Sequence, residues 1–179
     1  MSTALELIEA EGLQALSARK LASKLGCEAM SLYNHVANMD DLYDAIVDRL
    51  LGSLLPIGSD SVAAIDKASQ AYLTLASKWP EAFVLIATRR WHTPDAVAAA
   101  GSFVEAFQRM GCDANESLRR VRILGAYLNG AGMALAAWRK SKSGDAEAGG
   151  RSVEADLKHG LAQLLDSLTP PLPAPQHLR

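Results

Sequence analysis

Apolar residues recur at steps of three and four along most of the chain, which is the spacing of one face of an α-helix. Leu21 and Leu25 follow this spacing near the N-terminus. Leu42, Ile46 and Leu50 repeat it after residue 38. No stretch shows the alternation of apolar and polar residues that a half-buried β-strand requires. The pattern therefore predicts an all-α fold.

Proline, glycine and polar residues divide the chain after residue 55 into further helical segments. Pro80 is expected to begin a short helix, because proline fits the first position of a helix. Asp113 is expected to cap the longest helix. The segments end near Trp79, after Ile86, at Gly111, near Lys140 and near Leu168. The Pro-rich tail, residues 169–179, is predicted to be disordered, because its prolines cannot continue a helix.

A tight turn between two short helices lies close to the N-terminus. Ser17 is expected to cap the first helix, because its hydroxyl can accept a hydrogen bond from a free amide of the first turn. Gly26 ends this helix where a left-handed backbone is favoured. A second helix is predicted over Ala29–Val36, with Leu32 and Val36 facing inward. This arrangement is typical of a helix-turn-helix, which places its second helix in the major groove of DNA.

The same region resembles the N-terminal domain of TetR-type transcriptional repressors. The resemblance covers about the first 50 residues and rests on Gly12, Leu16, Ser17, Arg19, Lys20, Leu21, Ala22, Leu25, Gly26, Leu32, Tyr33, His35, Val36, Asn38, Leu42 and Ala45. Its most specific part is the Leu-Tyr-x-His-Val core that follows Leu25-Gly26. The resemblance implies an N-terminal three-helix helix-turn-helix DNA-binding domain and a C-terminal helical ligand-binding and dimerisation domain. The segment behind the motif contributes only its all-helical character.

Four regions follow from this reading. Residues 1–38 are expected to form the helix-turn-helix DNA-binding domain, and residues 39–55 the connecting helix. Residues 56–168 are expected to form the helical ligand-sensing and dimerisation domain, and residues 169–179 the tail.

The predicted DNA-binding residues lie on and beside the second short helix. They are Ser17, Arg19, Ala29, Met30, Ser31, Tyr33, Asn34 and His35. Arg19 has the donors to grip guanine, and Asn34 can pair with adenine. The resemblance implies backbone contacts for Tyr33 and His35. Two alternatives stay open: Tyr33 packs on the helix pair, or His35 caps the end of its helix.

The resemblance also implies a homodimer that pairs through residues 116–138 and 153–168. Small residues in the first segment would let another helix approach closely, and leucines form a stripe along the second. The alternative is that both stripes fill the core of one chain. A small apolar or aromatic effector is expected in the body of the protein, because ligand cavities are mostly apolar with a few polar groups. The candidate residues are Trp79, Phe83, Trp91, His92, Phe107, Tyr127 and Asn129, with plain core packing as their alternative role.

Composition narrows the function further. The net charge is −2, and residues 1–50 carry eight acidic and four basic side chains. The only two cysteines, Cys27 and Cys112, predict neither a disulfide framework nor a metal site, which favours the cytoplasm. Cys27 is expected to be a half-buried residue of the turn. The apolar run from Ile123 to Trp138 is shorter than the roughly 20 residues of a membrane span, so no membrane partner is expected.

The sequence therefore predicts a ligand-responsive transcriptional repressor that binds a palindromic operator in double-stranded DNA as a homodimer. A small-molecule inducer would release it. No cofactor, metal or enzymatic activity is expected, because no constellation of nucleophile and base, paired carboxylates or metal ligands appears. The alternative is a dimeric sensor or adaptor of the same fold with weak or lost DNA binding, which the acidic N-terminal region favours.

Overall fold

The computed structural model describes residues 1–54, 62–141 and 152–169. These residues form α-helices without any β-strand, which confirms the predicted all-α fold. The helices are α1 (Ser2–Glu11), α2 (Ala18–Leu25), α3 (Ala29–Tyr33), α4 (Met39–Gly52), α5 (Val62–Lys78), α6 (Phe83–Thr88), α7 (Pro94–Arg109), α8 (Ala114–Lys140) and α9 (Val153–Leu168). None of these helices is long and apolar enough to cross a membrane.

The first three helices form a small unit in which α2 and α3 meet across the glycine turn. The Ser17 hydroxyl accepts a hydrogen bond from the Lys20 amide at 3.3 Å, so it caps α2 as predicted. Gly26 has a φ of 70°, a left-handed conformation that glycine adopts at little cost. The Cys27 amide then donates to the Ala22 carbonyl at 3.0 Å and closes the end of α2.

Helix α4 connects this unit to the rest of the chain. The Asn38 side chain accepts from the Asp41 amide at 2.9 Å and caps the start of α4. The predicted stripe of Leu42, Ile46 and Leu50 is buried. On the side that carries Asp48 and Gly52, α4 packs against α7, and it also contacts α6 to a smaller extent. The helix thus follows the N-terminal unit along the chain and packs against the body.

The body is organised around α8, which packs against α5, α6, α7 and α9. Phe83 of α6 and Phe107 of α7 are among its fully buried side chains. Gly132 of α8 has no room for a side chain, because an added Cβ would lie 2.3 Å from the Phe83 ring. The small residue therefore allows α6 to lie close to α8.

Several details differ from the predicted elements. Helix α3 ends at Tyr33 rather than Val36, because the His35 amide turns back to the Leu32 carbonyl at 3.0 Å. Leu25, which continues the helical spacing of Leu21, is 48% exposed at the end of α2. Cys27 is exposed rather than half-buried. Helix α4 ends at Gly52, and residues 170–179 of the predicted tail lie outside the described residues.

Pro80 does not begin a helix, because α6 starts at Phe83. The preceding turn is held by α1 instead. The Glu9 carboxylate accepts from the amides of Glu81 and Ala82, at 3.2 and 2.9 Å. Burial raises the pKa of the Glu9 carboxyl above its ordinary value, although these amide hydrogen bonds partly offset the effect. A tertiary contact therefore decides where this helix begins.

Candidate DNA-reading surface and effector cavity

Helix α3 presents most of its surface to solvent. Leu32 is its buried residue and seats the helix on the N-terminal unit. Met30 is 75% exposed and Tyr33 is 45% exposed. Ser31, Asn34 and His35 are exposed as well, and Ala29 is half-buried. The predicted reading residues of this helix therefore lie together on a surface that DNA could approach.

The exposed side chains of this surface make few hydrogen bonds within the described part of the chain. Tyr33, Asn34 and His35 make no side-chain hydrogen bond to any residue that the structure describes. His35 therefore does not cap α3, so the alternative role considered for this residue is not met. The other alternative is only partly met, because Tyr33 leaves almost half of its side chain in solvent.

The positive charge beside α3 is smaller than the count of basic residues suggests. Arg19 and Ser17 are exposed, and Arg19 forms no ion pair with a described residue. Lys20, however, pairs with the Glu11 carboxylate of α1. Its hydrogen bond lowers the pKa of the Glu11 carboxyl below the ordinary value. The ion pair with Glu11 thus leaves one fewer basic side chain for phosphate contacts.

A cavity of about 360 Å³ opens in the body, and we call it the effector cavity. It lies between α5, α7, α8 and the segment from α6 to Trp91. Its lining consists of Tyr72, Ile86, Ala87, Arg89, Trp91, Ala100, Phe103, Val121, Arg122, Leu124, Gly125, Ala126, Leu128 and Asn129. This size and this mostly apolar wall are typical of small-molecule sites.

Hydrogen bonds fix the polar side chains on one wall of the cavity. The Tyr72 hydroxyl donates to Asn129 Oδ1 at 2.5 Å, which joins α5 to α8. Burial raises the pKa of the Tyr72 phenol, so the phenol keeps its proton at neutral pH. The Trp91 indole donates to the Ile86 carbonyl at 2.9 Å. Both aromatic residues are therefore held in place before any ligand binds.

The structure brings together part of the predicted effector set. Trp91 and Asn129 line the cavity. Phe83 and Phe107 do not, because both are fully buried in the core. The other three predicted residues also lie elsewhere: Trp79 between α1, α4 and α5, His92 in the exposed loop before α7, and Tyr127 beside α9, where its hydroxyl donates to the Leu157 carbonyl.

Sequence analysis missed Arg122 and Gly125 as cavity residues. The signal was the helical spacing, because Arg122, Gly125 and Asn129 stand at i, i+3 and i+7 and therefore share one face of α8. Gly125 leaves open space where a side chain would stand. This glycine thus widens the cavity.

One cavity residue also contacts the connecting helix. Arg89 Nε donates to Asp44 Oδ1 at 2.7 Å, and Arg89 Nη1 donates to Asp40 Oδ1 at 3.1 Å. The Asp44 carboxylate, helped by Asp40, raises the pKa of the Arg89 guanidinium above its ordinary value. His92 lies 3.3 Å from the other oxygen of Asp44. The wall of the cavity is therefore joined directly to α4.

A second link joins α4 to the start of α7. Asp48 Oδ1 accepts from the amides of Asp95 and Ala96, at 2.8 and 3.2 Å. Burial acts to raise the pKa of the Asp48 carboxyl, but the hydrogen bonds to its charged form outweigh burial and leave the pKa below the ordinary value. A side chain of α4 thus caps a helix of the body.

The two predicted dimer segments differ in how their apolar residues are used. On α9, Leu161, Leu165 and Leu168 are buried within the chain. On α8, a stripe of apolar and small residues stays exposed along the outer face, and we call it the α8 outer stripe. It consists of Leu118, Ile123, Ala126, Gly130, Met133, Ala134 and Ala137. The two predicted segments therefore differ, because α9 buries its leucines and α8 leaves apolar residues exposed.

The helix order, the glycine-ended turn and the cavity beside α4 define a helix-turn-helix protein with an appended helical body. Comparisons with known proteins agree with this architecture. Residues 1–46 match the family model described as "Bacterial regulatory proteins, tetR family". The N-terminal unit therefore belongs to the TetR family.

Individual relatives extend the likeness beyond the N-terminal unit. An HTH-type transcriptional regulator of Saccharopolyspora erythraea is 32% identical over 162 residues, which cover 87% of this chain and 66% of the relative. The tetracycline repressor protein class D of Escherichia coli is 45% identical, but only over 51 residues, 28% of this chain and 23% of the repressor. The chain thus spans just under two thirds of the first relative and about a quarter of the second.

Solved structures share the fold over nearly the whole chain. The ActR protein of Streptomyces coelicolor, in complex with actinorhodin, superposes with a TM-score of 0.79 at 17% identity and covers 93% of both chains. A TetR variant from Acinetobacter baumannii AYE, in complex with minocycline, gives a TM-score of 0.77 at 21% identity, over 93% of this chain and 92% of that one. At these identities the likeness concerns the fold.

Proposed function

We propose that the protein is a ligand-responsive transcriptional repressor that binds a palindromic operator as a homodimer and is released by a small-molecule inducer. The observation that carries the proposal is the outward face of α3. Met30 is exposed there, and the side chains of Tyr33, Asn34 and His35 make no hydrogen bond to a described residue, beside an exposed Arg19. These exposed side chains leave apolar area in contact with water, which is unfavourable for the folded chain. Binding of α3 in the major groove of DNA would explain their exposure.

The side chains of this surface suit different parts of a duplex. Arg19 would donate two hydrogen bonds to a guanine, and Asn34 would pair with an adenine. Met30 and Ala29 would contact a thymine methyl group. Tyr33 and His35, with Ser17 and Ser31, would hold the sugar-phosphate backbone and set the register of α3. Arg19, Ala29, Met30 and Asn34 alone would thus contact the bases.

A dimer would supply the second reading helix that a palindrome requires. The α8 outer stripe supports this pairing, because it exposes Leu118, Ile123 and Met133 along one face. Gly130 and Ala134 on the same stripe would let a second helix approach closely. Helix α9 would contribute its outward residues, since its leucines already serve the core of one chain.

The effector cavity would control the reading helices through α4. A ligand that favours another arrangement of the Arg89 segment would shift α4, because Arg89 holds Asp40 and Asp44. Such coupling between two sites is typically about 1–3 kcal/mol, and it requires DNA to weaken the ligand by the same factor. The relatives crystallised with actinorhodin and minocycline support a ligand in this fold.

The first experiment is selection of bound fragments from a random duplex pool by the protein in its native oligomeric state, at about 0.1 M salt. Recovery of a palindrome with half-sites about one helical turn or more apart is the expected result. On that operator, Tyr33→Ala should bind at least about tenfold more weakly. Gln14→Ala, an exposed residue away from α3, is the control and should bind like the wild type.

A second candidate is a dimeric sensor or adaptor that no longer reads DNA. The ion pair between Lys20 and Glu11 favours it, because it removes a cation from an already acidic N-terminal region. Under this candidate a folded dimer recovers no fragment above background. Unchanged DNA affinity in Tyr33→Ala would instead refute the assignment of α3 as the reading helix.

A further inference from the structure

We propose that the effector cavity takes an aromatic acid: a flat, mainly apolar molecule that carries a carboxylate, sulfonate or phenolate for Arg122 and a carbonyl-type acceptor for Asn129. The inference rests on the proposed function, because it names the chemistry of the effector for the same cavity. Three features of the cavity carry it: its aromatic wall, its charges and its unused hydrogen-bonding groups.

The wall of the cavity suits a flat ring system. Tyr72, Trp91 and Phe103 supply aromatic surface, and aliphatic side chains of α6 and α8 supply most of the rest. The rings of Tyr72 and Trp91 are 6.1 Å apart and tilted by 44°, and the indole is anchored by its own hydrogen bond. Rings held in this way present fixed faces and edges to a bound aromatic group.

The charges of the lining are all positive. Arg89 and Arg122 belong to the cavity wall, whereas no carboxylate among the described residues does. Arg89 is already matched by Asp40 and Asp44 behind the wall. Arg122 is exposed and forms no ion pair or hydrogen bond with any described residue. An anion that enters an apolar site needs a partner of this kind, since an unpaired charge is costly to bury.

The lining keeps uncommitted N–H donors for a ligand, besides the Tyr72 hydroxyl oxygen, which can still accept a hydrogen bond. The Asn129 oxygen and the Trp91 N–H are already used within the chain. This leaves the Asn129 amide N–H groups, together with the guanidinium of Arg122. Both residues lie on α8, seven positions and therefore about 10 Å apart along the helix axis. A complementary ligand thus offers acceptors at both ends of an apolar body.

Two fluorescent dyes of nearly equal shape test this chemistry. Anilinonaphthalene sulfonate is an aromatic acid, whereas N-phenylnaphthylamine has the same rings without the sulfonate. Titration of the full-length protein with each dye gives two dissociation constants. The acid is expected to bind about tenfold more tightly, because a partly exposed charge-assisted hydrogen bond has this order of effect.

Two pairs of variants assign the binding to the cavity. Arg122→Gln should remove the preference for the acid, whereas Arg119→Gln, a neighbouring arginine outside the effector cavity that pairs with Glu116, should retain it. Gly125→Leu should abolish binding of both dyes, because its side chain would fill the cavity. Gly101→Leu, at a helical glycine of α7 that also has open space around it and lies outside the lining, should bind both dyes like the wild type.

The proposal is overturned if the neutral dye binds as tightly as the acid, or if Arg122→Gln keeps the preference. Retention of the acid by Gly125→Leu would overturn it too, because the dye would then bind outside the cavity. These outcomes do not depend on DNA. A protein that selects an operator but shows no preference between the dyes refutes only this inference, and one that prefers the acid but selects no operator refutes only the proposed function.

Discussion

The reading surface and the effector cavity are built from residues at very different distances along the chain. The helix-turn-helix is fixed by hydrogen bonds between residues three to five positions apart, such as Ser17 with Lys20 at the start of α2 and Ala22 with Cys27 in the turn before α3. The cavity depends on pairs such as Tyr72 and Asn129, which are 57 positions apart. Local hydrogen bonds leave a readable spacing in a sequence, whereas a cavity wall assembled from four helical segments leaves almost none.

The largest expected effect on stability comes from a substitution in the long-range packing of the body. Phe83→Ala should lower the free energy of unfolding by about 3–5 kcal/mol, because the ring is fully buried and a cavity would replace it. The ring packs edge-on against Tyr72, at 5.5 Å between centroids, so dye binding in the effector cavity should weaken as well. Urea denaturation followed by circular dichroism measures the change. Val97→Ala, at a side chain that is 53% exposed, is the control and should stay within about 0.5 kcal/mol. A loss below about 1 kcal/mol for Phe83→Ala would contradict the packing described for α6 and α8.

The next effect concerns the local geometry of the reading surface. Gly26→Ala should cost about 1–2 kcal/mol, because the left-handed backbone at φ 70° is strained for any residue with a Cβ. The matched change Gly101→Ala should instead stabilise the protein by up to about 1 kcal/mol, since alanine is the better helix former and open space surrounds this glycine. Thermal or urea unfolding of the two variants gives the sign of each change. Equal effects would mean that the turn after α2 does not depend on its left-handed residue.

A smaller effect is expected where α4 joins the two regions. Asp48→Ala should cost about 1 kcal/mol at neutral pH, because the amides of Asp95 and Ala96 lose their acceptor. The pKa of Asp48 is lowered by folding, so its stabilisation is complete above the ordinary pKa of 3.8 and is lost as the pH falls through the lower folded-state value. The stability difference between wild type and variant should therefore shrink below about pH 4. A difference that grows on acidification would contradict this role.

The smallest expected effect concerns the charge of the proposed DNA-reading surface. Glu11→Gln should release Lys20 and strengthen operator binding a few-fold, with a salt dependence that is steeper by about one phosphate contact. Binding isotherms at several salt concentrations measure both quantities. Glu105→Gln, which breaks an exposed ion pair with Arg109 on α7, is the control. Weaker binding by Glu11→Gln would show that the ion pair positions α1 and α2 rather than withholding charge.

Much of the fold could be predicted because its signals are local. The caps at Ser17, Asn38 and Asp113 were readable, since each hydroxyl, amide or carboxylate bonds an amide three residues ahead. The start of α6 was predicted wrongly at Pro80. There the decisive contact comes from Glu9, more than seventy positions earlier, and no local pattern reports it.

The candidate sites divide in the same way. The side chains of α3 face outward as the helical spacing predicts, and their role in DNA binding stays a prediction. The effector set was only partly anticipated, because aromatic residues at helical spacing serve the core and the cavity alike. Phe83 and Phe103 show this, since the first is fully buried and the second lines the cavity.

The sequence by itself determined the helical fold and the helix-turn-helix, because periodicity, caps and a left-handed glycine act over a few neighbouring residues. Only the tertiary structure decided which aromatics border open space, which arginine lacks a partner, and which apolar stripe remains uncovered. Those properties depend on how α8 meets its four neighbours. Burial and pairing are settled by that packing, and a residue's own chemistry does not reveal which surroundings it will have.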